Sequence, residues 1–401
     1  MHTPLPRPAP GFSALGLVDS LVRALARAGH DTPTPIQAAA IPHALAGRDL
    51  FGCAQTGTGK TAAFVLPILQ HMLQRPAAAP GVRALILSPT RELAAQIGER
   101  IGVYGAGSGL RHTIVYGGVG MQPQIDALRR GVDLLVATPG RLCDLMGQGK
   151  VDLRRVEFFV LDEADRMLDA GFLPAIRRVV AAVPKQRQTL LFSATMPPEI
   201  APLAAQVLHE PLRVEAAPVA STPDAIDQTV YLVDQQDKRG LLRHLLGDHA
   251  ITRAIVFTRT KHGADKVARH LAADAIHAEA IHGNKSQNAR ERALSRFREG
   301  KLRVLVATDL AARGIDVAGI SHVINYDLPM DPEGYVHRIG RTARAGTRGV
   351  ALSFCCGEEE TRLKGIERLL RRRVPIVREH PYARHAAAPA GPPRAPARAR
   401  A

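Results

Sequence analysis

The sequence has no tryptophan, and aromatic residues make up only 4% of its 401 positions. It therefore has no extended platform of rings on which successive bases could stack. Its four cysteines, Cys53, Cys143, Cys355 and Cys356, form no CxxC pair and have no histidine at metal-ligand spacing. That leaves no basis for a disulfide framework or a zinc site, and small buried hydrophobes in a reducing compartment are expected instead. No apolar run reaches the roughly 18 residues that span a bilayer. The N-terminus, with prolines from Pro4 to Pro10, lacks the basic, apolar and small-residue regions of a secretory signal. A soluble, cytoplasmic protein is expected. Acidic side chains are also scarce, 37 against 53 Lys and Arg, for a net charge of +16. Such an excess marks affinity for a polyanion.

The length suits two domains rather than one. Short apolar runs recur at Ala84–Leu87, Leu134–Ala137, Phe158–Leu161 and Leu190–Phe192, then at Ala254–Phe257, Val304–Ala307, 323–326 and 350–354. They read as parallel strands covered on both faces. Helical patterns such as 91–101 and 261–272 lie between them, giving the rhythm of two open α/β sheets. The segment 210–227 carries three prolines and loses helical periodicity. Residues 31–210 and 228–373 are therefore expected to be the domains, with 1–30 an N-terminal extension and 211–227 a linker. Beyond Arg373 the chain is mostly Ala, Pro and Arg, too poor in apolar surface to order itself, so 374–401 is expected to be a disordered basic tail. Residues 361–401 hold 11 Lys and Arg against 2 acids, a net of +9 (11 − 2). The tail could be a salt-sensitive RNA tether or a solvated segment with no dedicated role.

The strongest local signal is Ala54-Gln-Thr-Gly-Thr-Gly-Lys-Thr61, a glycine-rich loop opening a helix. Its backbone N–H groups can cradle phosphates, with Lys60 on the β and γ phosphates and Thr61 on Mg²⁺. Thr56, Gly57, Thr58 and Gly59 form the cradle. Alone, the loop could be an ordinary tight turn. However, the apolar run ending at Leu161 delivers Asp162-Glu163-Ala164-Asp165 to the C-terminal edge of a strand, where open α/β sheets bind ligands. Asp162 would hold Mg²⁺ through water and Glu163 would polarise the attacking water. No second GKT or GKS occurs in the C-terminal half, so one ATP per chain is expected. That half offers His337-Arg-Ile-Gly-Arg341-Thr-Ala-Arg344, whose Arg341 and Arg344 can reach a γ-phosphate from the other domain.

Together these residues resemble the DEAD-box family of ATP-dependent RNA helicases, from Phe12 to about Gly346. The resemblance implies two tandem RecA-like α/β domains, each an open, mostly parallel sheet with helices on both faces. Gly29-His30-Asp-Thr32-Pro-Thr-Pro-Ile-Gln37 is similar to the Q motif, which makes Gln37 the adenine reader, with Thr32 beside it. Phe12 stands where the family keeps an isolated aromatic against the base, a helix-packing anchor being the alternative. His30 replaces the motif's usual aromatic. For RNA, the resemblance implies Pro89, Thr90, Arg91, Gly117, Gly118, Thr138, Gly140 and Arg141 in the first domain. In the second it implies Arg259, Thr260, Gln287, Arg290, Thr308 and Asp309, with Asp316 on the ATP ribose. Asp165, Ser193, Thr195 and His337 are implied to couple the two sites. Such contacts hold the backbone and ribose 2′-hydroxyls rather than bases.

The implied output is local unwinding of short RNA duplexes or remodelling of ribonucleoproteins by a monomer. The wording Asp162-Glu-Ala-Asp-Arg-Met-Leu168 is most similar to the bacterial RhlE-type branch, associated with ribosome assembly and RNA turnover. Two rivals are a DNA helicase or translocase of the same superfamily and a non-catalytic RNA clamp.

Overall fold

Valine, isoleucine and leucine in short runs favour strands that are apolar on both sides, and the chain builds two sheets from them. The computed structural model describes residues 11–383 apart from 55–57, 78, 170, 195–199, 216–224, 313–316, 318 and 344–347. The first sheet uses β1 (Leu50–Cys53), β2 (Ala84–Leu87), β3 (His112–Val115), β4 (Leu134–Ala137), β5 (Phe158–Leu161), β6 (Gln188–Ser193) and β7 (Leu212–Glu215). The second uses β8 (Ile226–Leu232), β9 (Ala254–Phe257), β10 (Ala278–Ile281), β11 (Val304–Ala307), β12 (His322–Asn325), β13 (Gly349–Cys355) and β14 (Ile376–Val377). Strand order is β3-β4-β2-β5-β6-β1-β7 in one and β10-β11-β9-β12-β13-β8-β14 in the other. The two orders map one to one, and every pairing described is parallel.

Each strand feeds two cores. On β2, Ala84 and Ile86 face one apolar cluster while Leu85 and Leu87 face the other. On β9, Ala254 and Val256 are separated from Ile255 and Phe257 in the same way. Helices therefore cover both faces of both sheets, as expected.

Three boundaries differ from expectation. The N-terminal segment is part of the first domain, because Phe12, Leu15, Leu21 and Leu25 are buried in its core. The expected linker contains β7, which pairs with β1, and the first residues of β8; residues 216–224 lie outside the described residues. The second domain continues past Arg373. Val374 is buried, β14 pairs with β8, and Tyr382 lies against Gly240, where a Cβ would come within 2.3 Å of its ring. Residues 384–401, the rest of the expected tail, lie outside the described residues. Among the described residues no helix is long and apolar enough to cross a membrane, and no cluster of metal-ligating side chains is present.

Candidate active site and nucleic-acid interface

β1 ends at Cys53, and the helix Lys60–Gln74 begins after the glycine loop. Of the loop, Gln55, Thr56 and Gly57 lie outside the described residues, while Thr58, Gly59 and Thr61 are half-buried. Gly59 caps the helix at φ 92, a left-handed conformation that suits glycine. A Cβ there would meet the Gln37 carboxamide at 2.3 Å. Gln37 is buried, donates from Nε2 to the Gly59 carbonyl at 3.0 Å, and accepts from the Thr34 amide at 2.9 Å. The expected adenine reader thus also braces the phosphate loop from behind.

Lys60 is 5% exposed, and its Nζ is buried with no hydrogen-bond partner among the described residues. A buried ammonium without partners is costly, so this atom defines a place for an anion. Asp162, just beyond β5, is 2% exposed, and its carboxyl is pushed up to about 7. Burial is the main cause, Lys60 opposes it, and Glu163 and Asp165 reinforce it. Asp162 accepts the Glu163 amide at 3.0 Å, and Glu163 sits at φ 52, a strained position of the kind found at functional sites. A divalent cation beside Asp162 would favour its charged form, so the donor set fits Mg²⁺ carrying a nucleotide polyphosphate.

Asp165 accepts the amides of Arg166 at 3.0 Å and Ala194 at 3.2 Å. The carbonyl of Ser193, itself fully buried, accepts the Ala54 amide at 3.0 Å. The acidic strand end, the end of β6 and the entrance to the phosphate loop are thereby joined. Thr195, Asp316 and Arg344, expected in coupling, ribose binding and catalysis, lie outside the described residues. His337 is half-buried in the helix Pro332–Ile339, and Arg341 just after it is 3% exposed. Thr32 is exposed. His30 meets Tyr104 edge to face at 6.2 Å, and its imidazole is held below the usual value by burial and by Arg100. Phe12 is covered by protein on all but 4% of its surface.

The expected RNA contacts fall at strand ends and helix starts. Thr90 accepts the Leu93 amide at 3.2 Å and Thr260 accepts the Gly263 amide at 3.0 Å, the same N-cap at equivalent places in the two sheets. Pro89 is buried and Thr308 half-buried, and Gly140, in the first turn of Pro139–Gly147, is exposed. Thr138 stands at the N-cap position of that helix without a side-chain bond to it. Arg141, 9% exposed, donates to the Val119 carbonyl at 3.0 Å, while its Nε and Nη1 are buried without partners among the described residues. Such a half-satisfied guanidinium suits a phosphate. A Cβ at Gly117 would meet the Arg91 guanidinium at 3.9 Å, and Gly118, at φ 76, lies so close to it that a Cβ would overlap it at 2.0 Å.

Four expected RNA contacts are first of all engaged with protein. Arg91 donates to Gln287 across the two domains at 3.3 Å, and Gln287 also donates to Glu291 at 2.9 Å. Arg290 pairs with Glu92 at 2.7 Å, with side chains 10% and 4% exposed, and burial lowers its guanidinium against that acid's pull. Asp309 is the most firmly engaged of the four. Its two oxygens accept from Arg338 at 2.5 and 2.7 Å, a bidentate pair that fixes the carboxylate while leaving it partly exposed. Arg259, by contrast, is exposed, and its backbone amide donates to Asp327 at 2.9 Å.

Glu92 gave no sign of this partner in the sequence, since a glutamate in a first helical turn ordinarily serves the helix dipole. Tyr116, 3.5 Å from Glu291, was also missed. So was Lys238, which occupies in the second sheet the place of Lys60, at the start of the helix after β8. Lys238 is 0% exposed and pairs with Asp327 at 3.2 Å and Glu359 at 2.8 Å. The lysine that is open in one domain is closed off in the other.

Residues 34–203 match the DEAD/DEAH box helicase family model, and residues 237–346 the helicase conserved C-terminal domain. DEAD-box ATP-dependent RNA helicase 52A of Oryza sativa subsp. japonica is 45% identical over 394 residues, covering 91% of this chain and 65% of its own length. The chain thus spans a little under two thirds of that relative. Among solved structures, S. cerevisiae Dbp5 bound to RNA and ADP BeF3 is 32% identical, with a TM-score of 0.81 over 92% of this chain and 96% of that one. A DEAD box protein from the hyperthermophile Methanococcus jannaschii is more similar in sequence, at 37%, yet scores 0.54 over 92% and 99%. This chain belongs to the DEAD-box family of ATP-dependent RNA helicases.

Proposed function

We propose that the protein hydrolyses Mg-ATP in its first domain when RNA bridges both domains, and that closure opens short duplexes or remodels ribonucleoproteins without reading sequence. The observation that carries this reading is Lys60, a buried ammonium with no hydrogen-bond partner among the described residues, next to a carboxyl held near 7. Bound Mg²⁺ would supply charge neutralisation between the phosphates and Asp162. Lys60 and the loop amides hold the phosphate oxygens, Thr61 and Asp162 face the metal, and Glu163 takes up the proton of the attacking water. Arg341 and Arg344 bring positive charge from the second domain, so turnover needs the domains together. Gln37, Thr32, His30 and Phe12 frame the adenine, and Asp316 holds the ribose. Asp165, Ser193, Thr195 and His337 transmit closure.

RNA lies along Thr90, Thr138, Gly140 and Arg141 in one domain and Arg259, Thr260 and Thr308 in the other, with Arg141's unpartnered donors on phosphate. The protein acts as a cytoplasmic monomer. The likeness to the RhlE-type branch points to ribosome assembly or RNA turnover. The test is steady-state ATP hydrolysis without nucleic acid, with single-stranded RNA and with DNA of the same sequence. Stimulation by RNA alone is expected. Equal stimulation by DNA would make the protein a translocase of the wider superfamily, and no hydrolysis under any condition would make it a clamp.

A further inference from the structure

The second sheet repeats the strand order of the first, so it has its own crevice where connections leave neighbouring strands in opposite directions. From β9 the chain runs through Lys261–Ala273 to β10 at one edge, and from the adjacent β12 through Pro332–Ile339 to β13 on the other side. Between those exits and the turn after β8 lies a pocket of about 710 Å³, within the roughly 300–1,000 Å³ range of small-ligand sites. Arg239, Arg259, Lys266, His270 and Tyr326 line it.

Its charge is positive. Of the two acids in the lining, Asp327 is already engaged on both oxygens, by Lys238 at 3.2 Å and by the Arg259 amide at 2.9 Å. The other, Asp234, stands against three cations. Arg259 and Lys266 have exposed side chains with no ion pair among the described residues, and Arg239 meets only Asp274, at 3.3 Å. The crowding of cations registers on His270, held below the usual imidazole value by burial and then by Arg239, Lys266 and Arg269.

A free nucleoside triphosphate finds no seat here, because the lysine that would grip its phosphate tail is fully buried against Glu359. A single phosphodiester needs no such seat and can lie between Arg259 and Lys266. We propose that this crevice takes a nucleotide of the RNA strand just beyond the stretch that bridges the two domains, with Arg259, Lys266 and Arg239 on its phosphate and Tyr326 beside its base or ribose. This rests on the reading of the protein as an RNA-gated ATPase, and it extends the RNA path past Arg259 to Lys266, Arg239 and Tyr326, which are given no role above.

The test compares two RNAs in the presence of Mg²⁺ and a non-hydrolysable ATP analogue. One is the shortest RNA that saturates stimulation of turnover, and the other is lengthened by a few nucleotides at one end or the other. Lengthening at one end should tighten binding to the wild type roughly tenfold, the scale of one added nucleotide contact. In Lys266→Glu combined with Arg239→Gln, both at exposed positions, that gain should vanish and the salt slope should fall by about 0.7 per lost phosphate contact. Affinity for the short RNA and maximal turnover should not change. No gain at either end, or a gain retained by the variant, would overturn the proposal. Two analogue molecules bound per wild-type chain and one per variant chain would assign the crevice to free nucleotide and also overturn it. If the short RNA neither binds nor stimulates, the RNA-gated reading itself has failed, which differs from an extension that adds nothing.

Discussion

Glu92→Ala removes the acid that faces Arg290 across the two domains at 2.7 Å, with side chains 4% and 10% exposed. If the domains stayed together, the stranded guanidinium would cost about 3–5 kcal/mol, because a buried charge without its partner is far worse than no pair at all. The chain can avoid that cost by separating its domains and rehydrating Arg290. The loss should therefore appear in closure rather than in unfolding. A deficit of about 3 kcal/mol lowers the closed-to-open ratio roughly a hundredfold. The assay is ATP turnover as RNA is titrated. The RNA needed for half-maximal stimulation should rise by one to two orders of magnitude, with little change in thermal midpoint. Arg290→Ala should behave similarly, and the double variant should be no worse than either single one, a coupling of about 2 kcal/mol or more. If the two singles add within about 0.5 kcal/mol, or the RNA requirement is unchanged, the contact does not hold the domains together and the reasoning fails.

Three further outcomes are expected. Glu163→Gln should keep ATP and RNA binding while losing turnover, and normal single-turnover rates would remove Glu163 as the group that activates water. Lys238→Met leaves Asp327 and Glu359 buried without their cation, which should lower the thermal midpoint by roughly 10 °C; adding Asp327→Asn and Glu359→Gln should restore most of it. Because the folded Asp162 carboxyl stands near 7, above the usual carboxylate range, protonation favours the fold. Stability of the ligand-free protein should thus decline as pH rises from about 4 through about 7, and Asp162→Asn should flatten that slope in thermal scans.

The parts of this molecule that could be read from the sequence are those where one short stretch carries its own physics. The runs at Ala84–Leu87 and Val304–Ala307 are apolar throughout because both faces are covered, and they are strands. Lys60 and Asp162 are legible because loop, strand end and charge coincide. β3 and β10 escaped because both are half-buried edges, with His112, Thr113 and Glu279 breaking any apolar run. β14 escaped because Val374, Ile376 and Tyr382 are sparse along the chain and earn their places only against β8 and Gly240. Arg91 and Gln287 are 196 residues apart. Nothing local says that an arginine suited to phosphate will first meet a glutamine of the other domain.

The two sheets also show why Lys238 is closed off where Lys60 is not. Strand order, the start of the helix after β1 or β8, and the Thr90 and Thr260 caps are all repeated. The difference lies at the exit of one strand. After β6 the chain reads Ala194-Thr-Met-Pro-Pro before its first acid, Glu199, whereas β13 leads through Cys356 and Gly357 to Glu358 and Glu359. Glu359, 2% exposed, accepts the Leu328 amide at 3.0 Å and the Lys238 ammonium at 2.8 Å. A carboxylate fixed from two sides occupies the ammonium that a phosphate would need, while Ser193 and Ala194 are the described residues at the matching strand end of the first domain. On a scaffold that is otherwise repeated, the reach of Glu359 from one strand end is what closes off Lys238.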